Sequence, residues 1–215
     1  MASDNLVRLV AETVAPISVP LFQTGSIALT LADNRVGDLV QQGDTGLLSR
    51  VMRGDFRAQL HSQELPGWII EGNPARSGEL YLRHWDTGLL LRFLKERRKT
   101  YPGGVPVAGY NLARKNWWSQ TYQSPLPGLE QPTDHDLNLL LLWDLVDATV
   151  IDQGIVMRVV RTIAPGVYGA SVPIDLSVEL NDTGGMWEWL KFVGDDELTD
   201  FFPDEETGSE EQEAM

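Results

Sequence analysis

The second half of the chain holds the feature that most limits its fold: long segments whose apolar residues recur at every second position, the spacing of a strand with one buried face. Leu137, Leu139, Leu141 and Trp143 begin the first, Ile155 to Ile163 forms the second, and Val172 to Leu180 the third. Asp134 could also cap a helix at the first segment. The run continues through Ala148-Thr149-Val150-Ile151 to a turn signal at Asp152-Gln153-Gly154, however, and the second segment follows at once. A hairpin of long strands accounts for both, so this half is expected to be mainly β.

The first half mixes periods. Ser3 or Asp4 can cap a short helix carrying Leu6, Val7, Leu9, Val10 and Val14, which Pro16 is expected to end because proline removes a backbone donor and clashes with the preceding turn. Ile17 to Leu31 then reads as extended, with Ile27, Leu29 and Leu31 alternating, before a turn at Asp33-Asn34. Short strands are expected at Phe56 to Leu60, Trp68 to Ile70 and Glu79 to Trp85, with Glu64-Leu65-Pro66-Gly67 and Gly72-Asn73-Pro74 as breaks. The predicted class is α+β: a strongly twisted antiparallel sheet or small β-barrel with two or three short helices. At 215 residues and 42% hydrophobic content, the chain suits a single domain over residues 1–193 and a disordered acidic C-terminal tail over 194–215.

A ten-residue pattern occurs twice. Asp44-Thr45-Gly46-Leu47-Leu48 to Arg53 matches Asp86-Thr87-Gly88-Leu89-Leu90 to Lys95 position by position. Both copies read as an Asp-capped turn leading into a helix.

Positive charge gathers in one stretch. Between Asp86 and Tyr122 lie Arg92, Lys95, Arg97, Arg98, Lys99, Arg114 and Lys115, against Asp86 and Glu96 alone. Leu89, Leu90, Phe93 and Leu94 make one apolar stripe on a helical period, which puts Arg92, Lys95 and Lys99 on the other side: a basic amphipathic helix, stopped by Pro102-Gly103-Gly104. Such faces are most often only solvated. Here the cations interleave with Tyr101, Tyr110, Trp117, Trp118 and Tyr122, and cations for phosphates with flat rings for bases are what a single-stranded nucleic-acid groove needs. Large aromatics are more commonly buried, but Trp117 and Trp118 on a strand would point opposite ways, leaving one at the surface.

The net charge of −14 is unevenly spread. From Asp195 onward there are ten acids and no base, which leaves 21 acids against 17 bases, or −4, in the body. The tail sets Leu198, Phe201 and Phe202 in this acid, the pattern of a partner-docking peptide or of the frayed edge of the domain. A tethered polyanion would also compete for a basic groove. In layout alone this is similar to phage single-stranded-DNA-binding proteins, which pair an OB-type barrel with an acidic C-terminal tail that recruits partners; no motif is shared, and this chain finishes Glu-Ala-Met with Phe201-Phe202 well inside.

Catalytic and metal patterns are weak. Asp-Thr-Gly occurs at 44–46, 86–88 and 182–184, but without the apolar strand that precedes the aspartic-protease triplet, and caps or turns explain it. Asp134-His135-Asp136 is a solvated loop rather than a ligand set, since neighbours on an extended chain diverge. No phosphate-cradling glycine motif and no Gly-x-Ser-x-Gly occurs. No cysteine is present, and neither a signal-peptide pattern nor an apolar run of about 18 residues stands out. The chain thus reads as soluble, cytoplasmic and non-enzymatic, with no cofactor, metal or membrane.

The leading expectation is a nucleic-acid-binding accessory protein, for single-stranded DNA or RNA. Arg92, Lys95, Arg98, Lys99, Arg114 and Lys115 would contact phosphates, and Tyr101, Trp117 or Trp118 would stack on bases. Alternatives are a structural or assembly subunit of a viral particle or multiprotein complex, an inhibitor whose acid mimics nucleic acid, and an enzyme without a recognisable motif. A protein partner would dock on the tail or on exposed aromatics, and a homo-oligomer fits the assembly alternative.

Overall fold

The computed structural model describes residues 4–41, 45–119, 137–147 and 150–182. Helices α1 (Asp4–Gln41) and α2 (Thr45–Leu60) precede strands β1 (Trp68–Glu71), β2 (Tyr81–His84) and β3 (Leu89–Lys95). A short helix, α3 (Leu112–Trp118), comes before β4 (Leu137–Asp147), β5 (Val150–Thr162) and β6 (Ile174–Glu179). The strands form one six-stranded sheet in chain order. All neighbours are antiparallel except β3 and β4, which run parallel with Leu89 opposite Leu137 and Lys95 opposite Trp143. The class is α+β, with a mixed, open sheet in place of an antiparallel sheet or barrel. Parallel neighbours require a long return, and residues 96–136, including α3, supply it.

Helix α1 departs most from the sequence expectations. It runs for 38 residues through Pro16 and Pro20, replacing the predicted helix end, the extended Ile17 to Leu31 and the turn at Asp33-Asn34. Its apolar stripe explains this. Leu6, Val10, Val14, Ile17, Leu21, Ala28, Ala32 and Val36 keep helical spacing across both prolines and are all buried, while Pro16 faces outward. An interior proline costs roughly 3 kcal/mol. Each large aliphatic buried beyond it returns about 1.5–3 kcal/mol, so Ile17, Leu21, Leu29 and Val36 together outweigh the two breaks. By length and composition α1 is apolar enough to cross a membrane, which corrects the expectation that no such run exists. In this fold the buried apolar residues of α1 belong to the core shared with the sheet and α2.

Gly25 governs the crossing of α1 over the sheet. A Cβ there would overlap Ile155 Cδ1 and lie 2.6 Å from Met157 Cε, both on β5. In α2, Leu48, Met52, Phe56 and Leu60 stand four residues apart on the buried side, so the strand predicted at Phe56 to Leu60 is the end of a helix. The Phe56 ring stacks on Phe93 of β3 with centroids 4.2 Å apart. The strands predicted around Trp68, Glu79 to Trp85, Leu137 and Val172 are present. Asp152-Gln153-Gly154 lies within β5, whose Val150 pairs with Asp147 of β4.

Alternation assigns the two faces of the sheet. Leu89, Leu91 and Phe93 of β3 join Leu139, Leu141 and Trp143 of β4 in the main core with α1 and α2. Leu140 and Leu142 look the other way, into a smaller core with Val105, Trp118, Val160 and Val172. Strands covered on both faces read as nearly unbroken apolar runs. That is why Leu89-Leu90-Leu91 and Leu139 to Leu142 carry no clean period.

Candidate functional site

The predicted basic helix is a strand. After β2 the chain turns at Asp86-Thr87-Gly88, with Gly88 at φ +67° in the left-handed region, and enters β3, paired on one side with β2 and on the other with β4. Thr87 Oγ1 lies 3.0 Å from His84 Nδ1, so this Asp-Thr-Gly serves a hairpin turn. The two ten-residue copies therefore fold differently, the first mostly in α2 and the second into β3. Leu-Leu-x-x-Phe-Leu fits a helical stripe and a two-sided strand equally well, and pairing decides between them. The functional consequence is large. Arg92 and Lys95, three apart, would share a helix face, whereas on β3 they take opposite sides of the sheet.

Arg92 lies on the side of the smaller core. Its guanidinium carbon is 5.5 Å from the ring centre of Tyr81, its β2 partner, and 6.0 and 5.7 Å from those of Trp117 and Trp118. The two tryptophans come from α3, where Asn111 Oδ1 caps the first turn by accepting from the Arg114 backbone N–H at 3.2 Å. Trp118 is fully buried: its indole N–H donates to the Pro106 carbonyl at 2.9 Å, which ties the helix to the loop before it, and its ring packs in the smaller core with Leu140, Leu142 and Val160 of the sheet. Trp117 is half-buried, with its ring 5.2 Å from that of Tyr81. Adjacency on a helix, rather than on a strand, thus divides the pair into a core anchor and a partly open ring.

Arg114 shares the buried indole, its guanidinium carbon 5.3 Å from the Trp118 ring. Arg53 reaches the same region from α2 and donates to the Ser77 carbonyl at 2.7 Å. Burial foremost, then the positive charge of Arg92, holds both Arg53 and Arg114 below the usual arginine range. The Nε–H groups of Arg53 and Arg114 are buried and find no acceptor among the described residues. Among the described residues, no carboxylate forms an ion pair with Arg53, Arg92 or Arg114. Tyr81 donates to Glu79 Oε1 at 2.6 Å, and burial first, with that hydrogen bond second, pushes its phenol up to about 12.

The other predicted contacts do not join this group. Arg98 pairs with the buried Glu96 at 2.6 Å and with Asp144 at 3.5 Å. Arg158 meets the second Glu96 oxygen and donates to the Gly103 carbonyl, so the carboxylate clamps the loop after β3. Gly104, at φ +79°, closes that loop, and a Cβ there would stand 2.5 Å from Glu96 Oε2. Lys95 lies over Trp143 at 5.1 Å and is held below the ordinary lysine range by burial first. Lys99 is exposed in the following loop and Lys115 half-buried on α3. Tyr101 is only 4% exposed and packs edge-on against Tyr168, which takes it out of any stacking surface. Leu198, Phe201 and Phe202, with Tyr122, Ser124 to Pro132, Asp134-His135-Asp136 and Met186 to Val193, lie outside the described residues.

Comparisons with protein-family models, with curated proteins and with solved structures return no match. Geometry and chemistry carry the functional reading.

Arg53 and Tyr81 escape the sequence reading. Arg53 sits in the helical copy of the repeat, far along the chain from Arg114, and only the packing of α2 against the β1–β2 loop brings it near. Tyr81 becomes relevant through its register with Arg92. Fully exposed Tyr110 stands just before α3, and Tyr168 is 79% exposed on the loop that faces Tyr101.

Proposed function

We propose that the chain is a non-enzymatic accessory protein that binds single-stranded nucleic acid on the sheet face carrying α3. The observation that carries this reading is the pairing of Arg92 and Arg114 with aromatic rings instead of carboxylates. Both keep their charge available for phosphate, and the rings hold the guanidiniums in place at low entropic cost. Exposed Arg97 and Lys99, with Lys115, extend the positive surface, while Trp117 and Tyr110 supply rings for bases. Trp118 and Tyr101 are buried supports, and Arg98 is committed to Glu96. The acidic residues after Val193 act as a competitor for the same surface.

Fluorescence anisotropy with a labelled single-stranded oligonucleotide, titrated across salt, tests the reading. Five phosphate contacts, from Arg92, Arg97, Lys99, Arg114 and Lys115, predict a slope of about −3.5 in log affinity against log salt. A chain that does not bind at low salt is not a nucleic-acid-binding protein of this kind.

A second reading, a subunit of a multiprotein assembly, is favoured by the exposure of Tyr110, Leu112, Val167 and Tyr168 beside the same face. Exposed rings and aliphatics of this kind are typical of subunit contacts. Light scattering that finds a closed oligomer at micromolar concentration supports it.

A further inference from the structure

Two loops that close the smaller core carry an apolar patch whose aliphatic residues the nucleic-acid reading leaves without a role. Ala108 donates its backbone N–H to the Pro165 carbonyl at 2.9 Å, and Tyr101 packs edge-on against Tyr168 with centroids 5.8 Å apart. Gly166 sits so close to Val107 that a Cβ there would lie 3.1 Å from its Cγ1. The segment before α3 and the β5–β6 loop are thus fixed side by side. On them Tyr110 is fully exposed, and Leu112, Val167 and Tyr168 are largely so. Exposed apolar side chains are ordinary when scattered, but two tied loops presenting them together mark a contact surface.

The charge around the patch selects its occupant. No Asp or Glu occurs from Arg97 to Ser119, and no charged residue from Thr162 to Ile174. Arg97 and Lys99 are exposed in the turn that leads into Tyr101, whose backbone N–H donates to the Arg97 carbonyl at 2.8 Å. The carboxylates met there, Glu96 and Asp144, are taken up by Arg98 and Arg158. An apolar patch with a cationic rim fits a peptide that sets apolar side chains among acids. The chain carries such a peptide: Leu198, Phe201 and Phe202 lie in a stretch with seven acids (195, 196, 197, 200, 204, 205 and 206) and no base. It is also long enough. The patch lies at the start of β6, and the chain leaves that strand six residues, or about 20 Å, further on. Sixteen residues lead from Asp182 to Leu198 and span up to about 55 Å when extended. We propose that residues 195–206 dock on this patch of their own chain, with Phe201 and Phe202 seated among Tyr110, Leu112, Val167 and Tyr168 and the acids facing Arg97 and Lys99. The tail then has a specific seat, whose apolar part outlasts the salt that would dissolve charge competition alone. The seat itself does not depend on the nucleic-acid reading; only its effect, shielding one flank of that surface, rests on it.

Because the chain has no cysteine, Thr207→Cys allows a single nitroxide to be attached beside this segment in the otherwise unmodified protein. The amide resonances of Leu112, Val167 and Tyr168 should broaden at about 0.15 M salt and remain broadened at about 1 M, where charges are screened within a few ångströms. Adding Phe201→Ser/Phe202→Ser should remove the broadening. No broadening on these loops overturns the seat, and so does broadening that salt abolishes and the phenylalanine variant keeps. Broadening found only when nitroxide-bearing chains are mixed with isotope-labelled chains lacking the nitroxide assigns the patch to a second copy and overturns docking within one chain. Oligonucleotide binding is read separately. The Phe201→Ser/Phe202→Ser chain should bind a single-stranded oligonucleotide at least about threefold tighter than the unmodified chain. A seated tail with no gain in affinity overturns the shielding role. Failure of both proteins to bind overturns the nucleic-acid reading and leaves the seat standing.

Discussion

The Arg92 guanidinium carbon lies over the Trp118 ring, 5.7 Å from the centre of a fully buried indole. The charge that would meet a ligand therefore rests on the side chain that fixes α3 to the sheet, and binding and stability can be separated only between neighbouring residues.

Trp118→Ala should destabilise the fold by about 3–5 kcal/mol, because it empties the centre of the smaller core and strands the Pro106 carbonyl. Trp117→Ala should cost markedly less stability, since its ring is half-buried, yet should weaken oligonucleotide binding by about 1–3 kcal/mol. Urea unfolding and anisotropy on the two variants read both effects. Equal stability losses would contradict the division of roles.

Glu96→Ala should be among the most damaging single changes away from the apolar core. It leaves Arg158 without its buried counter-charge and frees the loop through Gly104, and breaking such a pair costs about 3–5 kcal/mol. The urea midpoint should fall accordingly. An unchanged midpoint would mean that the loop holds itself.

Gly25→Val should cost about 1–3 kcal/mol by forcing α1 off β5. Adding Ile155→Ala makes room for the new side chain, so the double variant should lose less than the two single losses combined. Chemical denaturation of the four species measures the coupling, and strict additivity would place α1 elsewhere.

Tyr81 gives a pH signature. Its folded-state value, raised to about 12 by burial first, stands above the ordinary tyrosine value near 10. The protonated phenol is thus favoured by folding. Its contribution is complete below about pH 10 and is lost as pH rises from there through about 12. Ultraviolet difference titration should show a late-ionising phenol that Tyr81→Phe removes, whereas a late phase unchanged by Tyr81→Phe, or none at all, would deny the burial and the Glu79 hydrogen bond.

How much of this was legible in the sequence depends on how each segment is covered. Val172 to Leu180 and Trp68 to Ile70 betray their strands, because one side of each faces less apolar surroundings. Leu89 to Leu94 misleads because it is covered by α1 and α2 on one side and by the smaller core on the other, erasing the period of two. Pro16 and Pro20 mislead in the opposite sense, since a local stop signal is overridden by a stripe that continues for another five turns. At the site, Arg92, Arg114, Trp117 and Trp118 could be named from their clustering along the chain. Arg53 could not, because its approach depends on how α2 lies against the β1–β2 loop.

The most direct test of the central claim is a binding comparison between the unmodified chain and Arg92→Gln/Arg114→Gln, at one low salt concentration, with circular dichroism confirming that both are folded. The claim predicts that the double variant loses at least about tenfold in affinity for a single-stranded oligonucleotide and has a salt dependence shallower by more than one unit of slope. Equal affinity and equal salt dependence in the two proteins would contradict it.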